Sequence, residues 1–261
     1  MKHLILFYFI LLCTTTCNII PDSSAISSNL NNSLSQSSII IERGMSKSDS
    51  LITKVLVQDL KGKTCKIRLY KPVELNLELK NHRPEFNEKI FLCIPAAYRT
   101  PKNQIDGLFI KQGIEISETN NPQLTGACII SNNGVRIIDF EEINIDLLEK
   151  VKESKQSFFQ QSLLIENARI IPCAIFAERK NVRRALIQFE DYYCIGESDT
   201  PLTIYGFQQG LLEIGAKDAI NLDMGTWSEG WYKDSENKKV IIGENMKSTH
   251  RQTNWLIYES K

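Results

Sequence analysis

Apolar and polar residues alternate along much of the chain. Cys65, Ile67 and Leu69 alternate with charged and polar neighbours, which is the two-residue period of a half-buried strand. Asn133-Gly134 is a strong signal for a tight hairpin turn. Further strands are predicted over residues 89–95, 108–111, 114–117, 127–131, 135–140, 162–166, 184–190, 219–222, 240–242 and 255–258. The pattern therefore indicates many short strands joined by tight turns.

Two segments carry the 3.6-residue apolar period of a helix instead. The first spans 142–155, with a charged face opposite the apolar one. The second is predicted to begin with Thr200 as N-cap and Pro201 at the first helical position, and to close at Gly215. Strands and helices together predict an α+β fold: a single domain of mixed, largely antiparallel sheet with a few helices.

The N-terminus differs from the rest of the chain. Lys2 and His3 precede an apolar run over residues 4–12, which would make about 14 Å of helix against the roughly 30 Å core of a bilayer. A charged start, a short apolar run and small residues are typical of a secretory signal peptide, here residues 1–17. A buried N-terminal strand is the alternative interpretation.

The residues after this leader favour export followed by tethering. Cys17 stands where the lipobox of bacterial lipoproteins places its lipidated cysteine. Residues 18–38 are rich in Ser and Asn and have little apolar surface to bury, so they are predicted to form a flexible tether. The folded domain is expected over 39–261. We expect an exported protein, either secreted or anchored to the membrane as a lipoprotein, in the periplasm or at the cell surface.

Charge and cysteine content exclude several classes of function. The 31 basic and 31 acidic residues cancel, which argues against a nucleic-acid partner. No CxxC pair and no cluster of histidines occurs, so no metal and no cofactor are expected. Five cysteines lie beyond the leader: Cys65, Cys93, Cys128, Cys173 and Cys194. Most of them sit in apolar runs, and those are predicted to be buried thiols.

Three segments in a fixed order carry a family resemblance. They are Ile-Pro-Ala-Ala-Tyr-Arg over 94–99, Gln-Ser-Leu-Leu-Ile over 161–165 with Arg-Arg-Ala-Leu-Ile over 183–187, and a C-terminal segment over 211–225 that contains Asn-Leu-Asp-Met-Gly. This order resembles the phosphodiester glycosidase family, that of N-acetylglucosamine-1-phosphodiester α-N-acetylglucosaminidase or uncovering enzyme, over about residues 91–228. The chain would be a divergent, bacterial-lipoprotein-like member. Pro-Ala-Ala-Tyr stands where the family has Asn-Gly-Gly-Phe, and Met-Gly-Thr-Trp-Ser replaces its Gly-Gly-Gly-Ser.

The resemblance implies an exported hydrolase that cleaves a sugar from a phosphate-linked glycan. Arg184 falls where the family has its arginine and Asp223 where it has its aspartate, which makes them the candidate catalytic residues. An arginine fork suits phosphate oxygens, and a carboxylate can activate water or meet the developing positive charge on the sugar. The candidate substrate-binding residues are Arg183, Arg99, Tyr98, Trp227, Trp231 and Ser228; phosphorylated or phosphate-linked carbohydrate is the expected partner.

Other interpretations of the same residues stay open. The arginines lie around a predicted hairpin turn, where charge is usually solvated, and Asp223 suits a turn. The tryptophans suit a protein core as well as a sugar pocket. The altered motifs favour a catalytically inactive carbohydrate-binding surface lipoprotein on the same scaffold, and an unrelated exported structural protein is a third alternative. The sugar, the anomeric stereochemistry, a metal requirement of the reaction and the oligomeric state are left open.

Overall fold

The computed structural model of the chain describes residues 55–63, 65–174, 177–224, 228–243 and 249–260. The predicted signal peptide, the tether, Cys17 and Trp227 lie outside these residues. The described strands are β1 Val55–Lys61, β2 Lys66–Pro72, β3 Leu75–Lys80, β4 Ile90–Pro95, β5 Phe109–Lys111, β6 Ile114–Ser117, β7 Gly126–Ser131, β8 Gly134–Asp139, β9 Ser157–Gln161, β10 Leu163–Glu166, β11 Arg169–Ile170, β12 Arg184–Gln188, β13 Tyr193–Ser198, β14 Asp218–Asn221, β15 Gly230–Lys233, β16 Lys239–Ile242 and β17 Trp255–Ser260. Two α-helices accompany them, α1 Ile145–Glu153 and α2 Ile204–Glu213.

The strands form three sheets. The first has the order β1-β2-β13-β12-β14-β10-β11, the second β16-β15-β4-β17-β3 and the third β6-β5-β9-β7-β8. Every pairing among the described strands is antiparallel. Strands distant in sequence lie side by side, since β17 inserts between β3 and β4.

The prediction of an α+β fold is wrong. Strands make up 46% and helices 13% of the described residues, so the protein is mainly β. The two α-helices have nine and ten residues. Each is too short to form a layer of its own and covers part of one face of a sheet. The alternating apolar pattern, not the helical one, decides the architecture.

Both helices begin later than predicted, because a different residue caps each one. Asn144 Oδ1 accepts the N–H of Leu147 at 2.9 Å and starts α1. Thr203 Oγ1 accepts the N–H of Gly206 at 3.1 Å and starts α2, so Thr200 is not the cap. Gly215 has a φ of 87°, the left-handed conformation predicted for the residue that closes this helix.

The largest group of buried apolar side chains combines residues from all three sheets, among them Tyr70, Leu92 and Phe159. Helix α2 packs on the first sheet through Phe207, in a second cluster, and α1 packs on the third sheet through Val151, in another. Cys65, Cys93, Cys128 and Cys194 are buried, as expected of apolar thiols. None of the helices in the described part of the chain has the length and apolar character needed to cross a membrane.

Candidate functional site

Three chain segments converge where β4 and β14 end and β17 begins. The backbone N–H of Asp223 donates to the carbonyl of Ala96 at 2.8 Å. The Asn254 side chain binds the backbone of Ala97 in both directions, since Nδ2 donates to its carbonyl at 3.1 Å and Oδ1 accepts its N–H at 2.5 Å. Asn254 is fully buried. A buried amide whose donor and acceptor are both satisfied fixes the backbone around it, so this residue holds the loop after β4 against β17.

Asp223 is the buried carboxyl group of this junction. It is only 4% exposed, and Gln252 Nε2 donates to its Oδ2 at 2.7 Å. The Gln252 Oε1 accepts from the backbone N–H of Thr253 at 2.8 Å and from Asn254 Nδ2 at 3.3 Å. Because its oxygen is engaged on that side, the Gln252 amide is oriented with its nitrogen towards Asp223.

Burial dominates the electrostatics of Asp223. Removal from water raises the pKa of this carboxyl from 3.8 to about 7. The Gln252 hydrogen bond, the charge of Arg99, the backbone N–H of Met224 and the charge of Arg184 act in the opposite direction. Asp223 therefore exchanges its proton near neutral pH, as a general acid or base requires.

Tyr98 and Arg99 form the half-buried side of the site. Burial lowers the pKa of Arg99, whereas the charge of Asp223 raises it; the guanidinium stays protonated near neutral pH. Burial also raises the pKa of Tyr98, so its hydroxyl is neutral, and that oxygen accepts a hydrogen bond from Asn221 Nδ2 at 2.7 Å. The structure therefore brings Asp223, Arg99 and Tyr98 together.

Arg184 is fully buried and its guanidinium is engaged by protein groups. Nε donates to Glu197 Oε2 at 2.8 Å, Nη2 binds the same oxygen, and Nη1 donates to the carbonyl of Ser228 at 3.0 Å. Gly243, with a φ of 71°, lies against this carbonyl, and a Cβ there would overlap it. Arg184 thus joins β12, β13 and the segment that leads into β15, and Ser228 contributes its backbone oxygen to this contact.

Arg183 directly precedes β12, and its charge interacts with the phenol of Tyr98. It is 3% exposed, its Nε donates to the carbonyl of Leu202 at 3.0 Å, and its Nη2 binds the carbonyl of Arg179. Burial lowers its pKa. These bonds fasten the segment that leads into α2, so the side chain is embedded in protein and not at a solvated hairpin turn.

Trp231 lies in the protein core, where it is 1% exposed and packs with Cys93 and Trp255 on the second sheet. The ring of Phe86 meets it edge-on at 5.0 Å between centroids. Its position is the one expected of a core aromatic residue.

The residues that sequence reasoning missed are Gln252 and Asn254. The sequence does contain a signal for them. Three amide or hydroxyl residues, Gln252-Thr253-Asn254, directly precede a strand whose first residues are apolar. Buried polar side chains need partners. The sequence does not say that those partners are Asp223 and Ala97, because both lie far away along the chain. Within the described residues, His, Cys, Asp and Glu side chains form no group of three or more that could hold a metal ion.

The comparisons with known proteins give a match in structure alone. No protein-family model matches the chain, and no curated protein matches it in sequence. The catalytic domain of zebrafish N-acetylglucosamine-1-phosphodiester α-N-acetylglucosaminidase, in a form described as auto-inhibited by its pro-peptide, is similar with a TM-score of 0.55 and 12% identity, over 83% of this chain and 85% of that one. A hypothetical protein from Synechocystis is similar with a TM-score of 0.50 and 10% identity, over 79% of this chain and 62% of that one. The chain has a phosphodiester glycosidase-like fold.

Proposed function

We propose that the protein is a hydrolase that cleaves the bond between a sugar and a phosphodiester, with Asp223 as the reacting carboxyl group. The observation that carries the proposal is the buried Asp223, with a pKa of about 7, beside the positive charge of Arg99. The likeness to a phosphodiester glycosidase supports the fold and the choice of substrate class. The ligand is then a phosphate-linked carbohydrate.

The proposed reaction is attack of water on the anomeric carbon. The carboxylate of Asp223 takes a proton from the water as the oxygen–carbon bond forms, and the bond from the anomeric carbon to the phosphate oxygen breaks with its electron pair on that oxygen. The leaving group is a phosphate monoester dianion, which departs without first being protonated, so a second carboxylic acid is not needed. Since the base form of Asp223 is required, activity should rise with pH through about 7.

Arg99 is proposed to bind the leaving phosphate, because a guanidinium pairs with phosphate oxygens and stabilises the charge that develops there. Tyr98 presents a neutral hydroxyl that interacts electrostatically with Asp223. Arg184, which the family resemblance made the phosphate ligand, is proposed instead as a positioning residue. Its bonds to Glu197 and Ser228 support this role, because they brace the segment that follows Asp223.

The test uses the methyl phosphodiesters of several sugars, each linked to phosphate at the anomeric carbon. Hydrolysis is measured as the release of reducing sugar. In water enriched in oxygen-18, attack at the anomeric carbon places the heavy oxygen in the sugar, whereas attack at phosphorus places it in the phosphate. Asp223→Asn should lower turnover by at least a hundredfold, and the matched change at the exposed Asp191, Asp191→Asn, should leave it unchanged. Undiminished hydrolysis by Asp223→Asn, or heavy oxygen in the phosphate, would contradict the proposal.

We also propose that the protein is exported and anchored through Cys17. The support is the charged start, the short apolar run and the polar tether of the sequence. In a bacterial host, the wild-type chain should incorporate radiolabelled palmitate and enter the membrane fraction. Cys17→Ser should be exported without the label, and equal labelling of the two proteins would contradict the anchor.

A further inference from the structure

A polar cleft of about 560 Å³ opens beside the loop that carries Arg99. One wall is the segment from Thr100 to Ile105, another is the end of β6 with residues 117–119, and Thr253 lies between them. Thr253 directly follows Gln252, the hydrogen-bond partner of Asp223. The cleft therefore begins one residue from the contact that holds the candidate catalytic carboxyl.

The lining of the cleft has the chemistry of a saccharide site. Amide and hydroxyl side chains predominate, which can donate to and accept from sugar hydroxyls, and Ile105 and Ile116 add apolar surface for the carbon–hydrogen faces of a ring. Glu118 is the one charged side chain among the described residues that line it. A phosphate or a peptide of high charge would find little to pair with there.

Thr253 supplies an independent indication that something binds. Its Oγ1 is buried, and among the described residues it has no hydrogen-bond partner. A buried hydroxyl without a partner is costly, and such groups in native proteins are usually satisfied by water or a ligand. Thr253 is one of the residues that line the cleft, so a ligand that displaces the atoms covering this hydroxyl can become its partner.

The wall that carries Arg99 is well ordered by its own hydrogen bonds. The Thr100 N–H donates to the Gln104 carbonyl at 2.8 Å, and Thr100 Oγ1 accepts the Gln104 N–H at 3.3 Å. Arg99 pairs with Ile105 as an antiparallel bridge. One rigid loop thus has the proposed phosphate ligand at its base and the cleft along its side, so a ligand in the cleft extends from the phosphate position.

We propose that this cleft binds an uncharged saccharide chain, the carbohydrate portion that continues from the scissile phosphodiester. The inference rests on the proposed function for the position of the phosphate, but saccharide binding itself needs no turnover. The cleft is a subsite for recognition, and its residues are not part of the reacting group. The ligand class is neutral oligosaccharide, recognised through hydroxyl and amide contacts.

The experiment measures binding of chitotriose, cellotriose, maltotriose and mannotriose, each separately, to the full chain by saturation-transfer NMR and calorimetry. At least one should bind saturably. Thr119→Trp, at an exposed position on the rim, should weaken that binding at least tenfold by filling the cleft, and Thr253→Val should weaken it about fivefold through loss of one hydrogen bond. Thr200→Trp and Thr200→Val, at an exposed position elsewhere, are the matched controls and should bind as the wild type does.

Two results would overturn the proposed saccharide site: no trisaccharide binds the folded wild-type protein, whether or not that protein hydrolyses sugar phosphodiesters, or Thr119→Trp binds as tightly as Thr200→Trp. The protein could also bind a saccharide, lose that binding on these substitutions, and yet hydrolyse nothing. That result would support the proposed saccharide site and contradict the proposed function. The two proposals can therefore fail separately.

Discussion

Replacing Asp223 with asparagine should stabilise the protein, and more so as the pH rises. The folded state holds this carboxyl at a pKa of about 7, against 3.8 for an ordinary aspartate. Between those values the folded chain keeps a proton that the unfolded chain releases, so the free energy of unfolding falls with increasing pH. Asparagine has the same shape and does not ionise, so the variant lacks this loss.

The magnitude follows from the difference between the two pKa values. Each unit corresponds to about 1.4 kcal/mol, so a difference of roughly three units is about 4 kcal/mol in full. Asp223 is 4% exposed, so solvent screening reduces this value little. Between pH 5 and pH 7 the advantage of Asp223→Asn should grow by about 2 kcal/mol, and below pH 4 it should be close to its minimum.

Urea denaturation followed by tryptophan fluorescence at pH 4.5, 6 and 8 measures the effect. The other titrating groups are shared by both proteins, so their contributions cancel in the difference. Asp191→Asn, at an exposed position, should differ from the wild type by the same amount at every pH. A constant difference between Asp223→Asn and the wild type would refute the raised pKa. A variant that is more stable and yet inactive would show that lost turnover is not lost folding.

Four further substitutions test Asp223 and the elements near it. Arg184→Met should lower the free energy of unfolding, measured by urea denaturation, by about 3–5 kcal/mol because it leaves Glu197 unpaired. Adding Glu197→Leu should recover most of that loss. A loss below about 1 kcal/mol would contradict the importance of the ion pair. Gln252→Leu removes a hydrogen bond that favours the Asp223 carboxylate, so the acid limb of the pH–rate profile should move up by about one pH unit, and an unmoved limb would contradict the contact. Gly243→Ala should lower stability by about 2 kcal/mol or more in thermal unfolding, because of its positive φ and its close neighbour.

The local pattern of the sequence predicted much of the strand structure. The hairpin at Asn133-Gly134 and the closing role of Gly215 follow from short-range chemistry that needs no knowledge of the rest of the fold. The helix starts were displaced because Thr200 and Thr203 are both good caps, and only tertiary contacts select between them. The predicted fold class was wrong because the two helical segments were expected to form a substantial part of the fold, whereas both helices are short.

The candidate site was harder to predict than the strands. Asp223 was named from the sequence as a candidate catalytic residue, whereas the partner of Arg184 was not predicted. A buried arginine is satisfied by whichever acceptors the sheet brings beside it, and Glu197 does so by its register opposite Arg184. Gln252 was missed for the same reason, since its contact with Asp223 depends on the packing of β17 and not on any nearby motif.

The hydrogen bonds between Asn254 and Ala97 affect how the chain can fold during biosynthesis. Ala97 and Asn254 are 157 positions apart, and β17 lies between β3 and β4, which are made much earlier. During translation the second sheet cannot be completed, because the position between β3 and β4 stays empty until β17 is made. Closing the long loop that separates β17 from these strands is slow. Until the last strand has emerged, Asp223 lacks Gln252 and the loop after β4 lacks its brace. The nascent chain is thus expected to depend on chaperones or on rapid release to keep the open edges of β3 and β4 from pairing with other chains.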